Sequence, residues 1–185
     1  MGFRIKLLGV AQRTGRGLEQ RMQPCLVPAN SPLGQLEGGT NMVVIEGHAV
    51  EQIVLRGPGA GEGPTASAVM GDVCDIARGL RLPTFGQPAH TLDAAPRARS
   101  ELPAPYYLRM QLLDKPGALA QIAAILGNSG VSIDRMRQYG HEDAEAPVLI
   151  VTHKTTRAAL DDALEAMGTT DVMTASPVAL RIEHL

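Results

Sequence analysis

The spacing of apolar positions along the chain changes several times, and each change marks an element. Four early stretches, RIKLLGVAQR, LEQRMQPCLVP, NMVVIEG and EQIVLRG, read as strands divided by turn-forming clusters such as RTGRG and EGGT. A three-and-four spacing then takes over. Ala66, Val69, Met70, Val73, Ile76 and Ala77 fall on one helical face and predict a helix from Thr65 to about Arg78. At its entry Pro64 supplies a fixed φ and Thr65 a capping hydroxyl.

From Tyr106 the pattern is cleaner. YYLRMQLL alternates, with Leu108, Met110 and Leu112 on one face, and GALAQIAAILGNSG sets Leu119, Ile122, Ala123 and Leu126 on a helical stripe that ends in glycine. VSIDRMRQYG and APVLIVTH follow as strands, TTRAALDDALEAM as a second amphipathic helix through Leu160, Ala163, Leu164 and Met167, and SPVALRIEHL as a last strand. The order βαββαβ is that of a ferredoxin-like fold, an antiparallel four-stranded sheet with both helices on one face. The other face then needs cover, from the first half or from a second copy.

Between the halves, RLPTFGQPAHTLDAAPRARSELPAP carries Pro83, Pro88, Pro96, Pro103 and Pro105 and keeps neither period. The division expected is therefore 1–80, a linker at 81–105, and 106–185. The fold class is α+β: a mainly antiparallel sheet region with one helix, then the βαββαβ domain.

Composition narrows the function classes. A hydrophobic content of 44%, a charged content of 19% and a net charge of −2 describe a globular protein without the basic surface that nucleic acid requires. Tryptophan is absent, and no basic stretch is interleaved with stacking rings. The N-terminal MGFRIKLLGVAQR is charged too soon for a signal peptide or a membrane span, so no membrane partner and a cytoplasmic setting are expected. Cys25 and Cys74 form no CxxC pair, and Cys74, on the apolar side of the first helix, reads as core packing. His48, His90, His141, His153 and His184 lack metal-ligand spacing, so no metal is expected. Asp161 and Asp162 read as a solvated face near a helix start, and Glu142, Asp143 and Glu145 as a hairpin loop, none with a chemical role.

Two turns hold the candidate chemistry. In LLDKPGALAQI, Pro116 presets a helical φ, Gly117 permits close approach, and Asp114 has a choice of capping the helix or leaving its first amides to a ligand carboxylate. The stretch GPGAGEGPT places glycines at 57, 59, 61 and 63, which breaks the GxGxxG spacing of a dinucleotide fingerprint, and it has no Walker lysine. It is a loop without bulky side chains at a helix start, suited to approach a ligand held mainly by other residues.

DKPGALAQIAAILGNSGVSID, with the βαββαβ order around it, resembles the ACT domain, a regulatory module of amino-acid metabolism. That resemblance implies a small amino acid bound near Asp114, Gly117, Ala118 and Leu119, against Ile133 and Asp134 of a neighbouring domain, within a homo-oligomer. GFRIKLLGVAQR, QPCLVPANSPLGQLEGGTNMVVIEG and GPGAGEGPTASAVMGDVCDIARG, in that order, are similar to the end of the catalytic domain of bacterial homoserine dehydrogenase, whose longer forms carry an ACT domain next. This resemblance implies conversion of L-homoserine and L-aspartate 4-semialdehyde with NAD or NADP in a full-length enzyme, and threonine as the effector. Gly61 would contact the nicotinamide end, with Gly59 and Ala60 beside it. The family's Rossmann domain and catalytic lysine segment precede the matched region, so the chain alone is expected to hold no catalytic residue, no cofactor and no activity. A free-standing amino-acid-binding or oligomerisation module is the competing expectation.

Overall fold

The computed structural model describes residues 1–98, 102–139 and 145–184. Strands β1 (Phe3–Thr14), β2 (Gly17–Pro28), β3 (Thr40–Gly47) and β4 (Glu51–Pro58) precede helix α1 (Glu62–Ala77). After Pro105 come β5 (Tyr106–Leu113), α2 (Ala118–Asn128), β6 (Ile133–Gln138), β7 (Glu145–Thr152), α3 (Arg157–Gly168) and β8 (Val178–Ile182). The α+β class and the βαββαβ order are as the periodicity predicts. His141, Glu142 and Asp143 lie outside the described residues.

Two compact units emerge, and they cut across the division at 80 and 105. One comprises Met1–Ala29 with Arg97–His184, and the other Asn30–Pro96. In the first, a six-stranded sheet runs β1-β2-β8-β5-β7-β6, so the ferredoxin-like four strands are extended at the β8 edge by the N-terminal hairpin. Every pairing is antiparallel except β2 with β8, where only Cys25 opposite Arg181 and Leu26 opposite Ile182 are in register.

Alternation along β5 and β7 sends Leu108, Met110, Leu112, Val148 and Ile150 to one face, where Ile122 and Leu126 of α2 and Leu160, Ala163 and Met167 of α3 bury them. Each large apolar side chain fully buried there contributes about 1.5–3 kcal/mol by leaving water. Ala118 is buried and Ala123 exposed, because the stripe of α2 runs through Ala118, Ile122 and Leu126 and begins one residue earlier than its sequence spacing suggests. The opposite face is covered in part from within the chain: Leu26, Val151 and Ile182 form a second cluster with Met1, Phe3, Tyr107 and Leu180 against it. Tyr107 is shifted to a higher pKa by that burial.

Glycine ends both α1 and α2 in the same way. Beyond α2, Gly130 at φ 72° lets Val131 N–H donate to Leu126 O at 2.8 Å, and beyond α1, Gly79 at φ 80° lets Leu80 N–H donate to Asp75 O at 2.9 Å. At α3 the cap is a side chain, Thr156 accepting from Ala159 N–H at 3.2 Å. Asp161 sits on the exposed face as expected and accepts from Arg157 Nε at 2.9 Å.

In the second unit β3 and β4 form a two-stranded hairpin, followed by α1 and a single 3-10 turn at Ala89–Thr91. Here the expectations need correction. Helix α1 starts at Glu62 with Gly61 as its cap, so Pro64 lies inside the first turn and Thr65 makes no capping bond. Thr65 instead donates its own N–H to Gly61 O at 3.1 Å. No residue of α1 is buried, so Cys74 is exposed and packs in no core.

Candidate functional site

The glycine-rich loop joins β4 to α1. Gly61 has φ 122° and ψ 151°, a conformation essentially reserved for glycine, and this geometry turns the chain from the hairpin into the helix. Gly59 is glycine for a different reason. A β-carbon there would overlap the Asn41 side-chain amide, so the loop backbone and Asn41 sit against each other. Gly59, Ala60 and Gly61 form one wall of an open groove of about 790 Å³ whose other wall is Thr65, Val69 and Met70 from the first turns of α1.

The groove offers backbone on one side and an apolar face on the other, with Glu62 as the one charged group lining it. Its lining includes no lysine or arginine to meet phosphate. Among the described residues no group of three or more His, Cys, Asp or Glu is placed to hold a metal.

The second candidate lies between β5 and α2. Gly117 caps α2 in the left-handed region at φ 89°, with no side-chain cap. Asp114 is exposed and does not cap the helix, so of its two possible uses the capping one is not taken up. The turn is braced by Lys115 N–H to Leu113 O at 2.9 Å and by Ala118 N–H to Lys115 O at 3.2 Å. Lys115 Nζ also reaches Asp171 Oδ2 at 3.0 Å, and that hydrogen bond lowers the Asp171 pKa. Ala118 is buried and Leu119 half-buried against the α2–sheet core, while Asp114 and Gly117 are exposed.

Ile133 and Asp134 begin β6, the outer edge of the sheet, separated from β5 by β7. The chain does not bring them to the Asp114 turn through neighbouring strands. Ile133 packs on the core, a register shift follows it, and exposed Asp134 lies 3.4 Å from Arg135 Nε. Arg135 in turn stacks over the Phe3 ring at 5.5 Å.

One cluster escapes a reading by motif. Glu19, Arg181 and Glu183 are buried and Arg21 is half-buried with its side chain covered, and Glu183 Oε1 accepts from Arg21 Nε at 3.1 Å, Arg21 Nη2 at 2.6 Å and Arg181 Nε at 2.7 Å. Burial opposes the Arg181 charge, and the Glu183 hydrogen bond and charge, with Tyr106, outweigh it and raise its pKa. The signal was present in LEQR and RIE, where opposite charges two residues apart on a strand share a face. Cys25 lies on that face too, its thiol pushed up by burial and then by Glu183.

Comparison with known proteins places these features. Residues 1–74 match the homoserine dehydrogenase family model and residues 106–169 the ACT domain model. A homoserine dehydrogenase of Neisseria gonorrhoeae is 38% identical over 193 residues, covering 100% of this chain and 44% of the relative. One from Pseudomonas aeruginosa is 35% identical, with 100% and 45% covered. A crystal structure of a homoserine dehydrogenase from Thiobacillus denitrificans superposes with a TM-score of 0.85 at 34% identity, over 99% of this chain and 43% of that one. The chain thus spans less than half the length of these relatives.

Proposed function

We propose, from the premise that this chain corresponds over its full length to the C-terminal portion of the homoserine dehydrogenases and carries their ACT domain, that it closes and regulates an enzyme interconverting L-homoserine and L-aspartate 4-semialdehyde. NAD or NADP supplies the hydride chemistry in the whole protein. Gly61, with Gly59 and Ala60, approaches the nicotinamide end, and Thr65, Val69 and Met70 line the other side of the groove. No residue of this chain takes the proton in the reaction. The 185 residues alone are therefore inactive.

The observation carrying this reading is the open apolar face of α1. Val69, Met70, Val73 and Ile76 are 49–70% exposed on a helix with no buried residue. An amphipathic helix is stabilised mainly by burying its apolar face, so α1 is built for cover by chain outside these 185 residues. Mixing the chain with the separately expressed N-terminal portion of a relative tests this. Homoserine-dependent reduction of NAD or NADP by the mixture, and by neither part alone, is the expected result.

The amino-acid-binding reading rests on the first unit, which has a complete core of its own. Threonine, an end product of the route that homoserine feeds, is the proposed effector. Its carboxylate meets the first turn of α2 after Gly117, and its ammonium group meets Asp114 or a partner subunit's Asp134. The β6 edge is the surface for a homo-oligomer, which would supply that second wall. No helix among the described residues is long and apolar enough to cross a membrane. A cytoplasmic setting is part of the proposal for the whole enzyme. Should the 185 residues bind threonine while the mixture turns over nothing, the free-standing module is the correct description.

A further inference from the structure

Residues 30–96 are attached to the first unit by two covalent connections, and both begin at the ends of one strand. The chain leaves after Ala29, one residue beyond β2, where Ala29 N–H donates to Gly2 O at 2.9 Å. It returns at Arg97, which bridges Leu18 near the start of β2, and Ala98 N–H donates to Leu18 O at 3.0 Å. Whatever displaces β2 therefore displaces both attachments of the segment that carries the Gly59–Gly61 loop.

The backbone joins β2 to the four ferredoxin-like strands only briefly, through two residue pairs with β8 and Glu183 N–H donating to Leu26 O at 2.8 Å. The buried quartet adds a charged join beside the apolar contact of Leu26 with Val151 and Ile182. Arg21 of β2 donates to Glu183, just past β8, while Arg181 of β8 shares that carboxylate and donates to Leu102 O at 3.0 Å. Leu102 N–H in turn donates to Glu19 Oε2 at 2.8 Å, which fixes the returning chain to β2. Two positive and two negative side chains balance, and each has a hydrogen-bonded partner. Such a cluster adds little net stability against apolar packing, yet the loss of one member strands another buried charge.

We propose that β2 transmits the state of the βαββαβ fold to residues 30–96, with the Glu19–Arg21–Arg181–Glu183 cluster as the coupling. A ligand that shifts β5 or β8 carries β2 through this cluster and with it the glycine loop's two attachments. This regulatory role rests on the reading above that the fold binds an amino acid and that residues 30–96 serve the enzyme.

Native-state hydrogen exchange on the full 185-residue chain tests the coupling, with and without L-threonine and for Arg21→Met and Glu183→Gln. In the unsubstituted chain, β2 amides are expected to open together with those of β5 and β7. Arg21→Met is expected to speed exchange at β2 and at Ala98 by roughly tenfold to a hundredfold relative to β7. Threonine, its binding followed by calorimetry, is expected to slow β2 and Ala98 in the unsubstituted chain and to bind Arg21→Met without that effect. Independent opening of β2 in the unsubstituted chain, or unchanged β2 exchange in the variants, overturns the proposal. If Arg21→Met does not fold, the unsubstituted chain and Glu183→Gln decide. An absence of threonine heat counts against the amino-acid reading alone, and the exchange data without ligand still decide the coupling.

Discussion

Gly61 offers a substitution whose cost can be worked from backbone geometry. At φ 122° and ψ 151° an L-residue is strained by about 1–3 kcal/mol, whatever its side chain. Space is not the obstacle, since a β-carbon would meet Pro64 Cδ at 3.4 Å, an ordinary contact. A substituted chain relieves the strain by rotating Gly61 toward negative φ. That rotation re-aims residues 59–61 and loosens the Thr65 N–H bond to Gly61 O. If hydride transfer needs the loop as it stands, kcat/KM for the cofactor in the complete enzyme should fall about 5- to 150-fold in Gly61→Ala, the strain expressed as a rate. Gly61→Val should fall further, because a β-branched side chain narrows the approach. Gly63→Ala is the control: two residues on, Gly63 lies in α1 with open space around its β-carbon and no positive φ. The assay is steady-state oxidation of homoserine with cofactor varied, beside melting curves of the first unit, which should not move. Equal kcat/KM for Gly61→Ala, Gly61→Val and Gly63→Ala would refute the reasoning and leave the loop as a turn only.

The two units should respond differently to loss of an apolar side chain: Ile122→Ala, fully buried, should cost about 2–5 kcal/mol in urea unfolding. Ile76→Ala, 70% exposed, should change stability by less than about 0.5 kcal/mol. Asp114→Ala should likewise leave stability nearly unchanged, as Asp114 caps nothing, yet weaken threonine binding by about 1.5–3 kcal/mol in calorimetry if the carboxylate pairs with the ligand ammonium. In the folded chain a thiol reagent such as DTNB should modify Cys74 quickly and Cys25 only on unfolding. Because burial raises the Cys25 pKa, its contribution is complete below the unfolded thiol value of about 8.5 and is lost as pH rises through the folded one. Melting temperature should therefore fall on the alkaline side, and Cys25→Ala should flatten that fall.

The sequence reveals the second half well, because alternation in β5 and the helical stripes of α2 and α3 are local signals that the buried positions Leu108, Ile122 and Leu160 answer to directly. It conceals that β1 and β2 belong to the same sheet, since β2 meets β8 more than 150 positions away through only two register pairs, too few to leave a pattern. The start of α1 is likewise hidden from local pattern. Pro64 and Thr65 make a good helix entry by composition, but Gly61 takes the cap because proline is tolerated anywhere in a first turn, where its missing N–H has no partner to lose. Cys74 is exposed against expectation because an apolar helical face identifies what is meant to be covered, not what covers it. Of the two candidate sites, the glycines at 59, 61 and 117 were legible as residues that need special geometry. The buried quartet was legible only as paired charges on strands, a pattern that ordinarily means solvent.

The most direct measurement joins the N-terminal portion of the Thiobacillus denitrificans enzyme, up to the position matching Met1, to this chain and follows homoserine oxidation. This chain superposes on that enzyme with a TM-score of 0.85 over 99% of its length. The chimera is expected to reduce NAD or NADP in a homoserine-dependent way, while the 185 residues alone do not. A chimera whose first unit melts as it does in the isolated chain but which shows no turnover, or turnover by the 185 residues alone, would contradict the assignment.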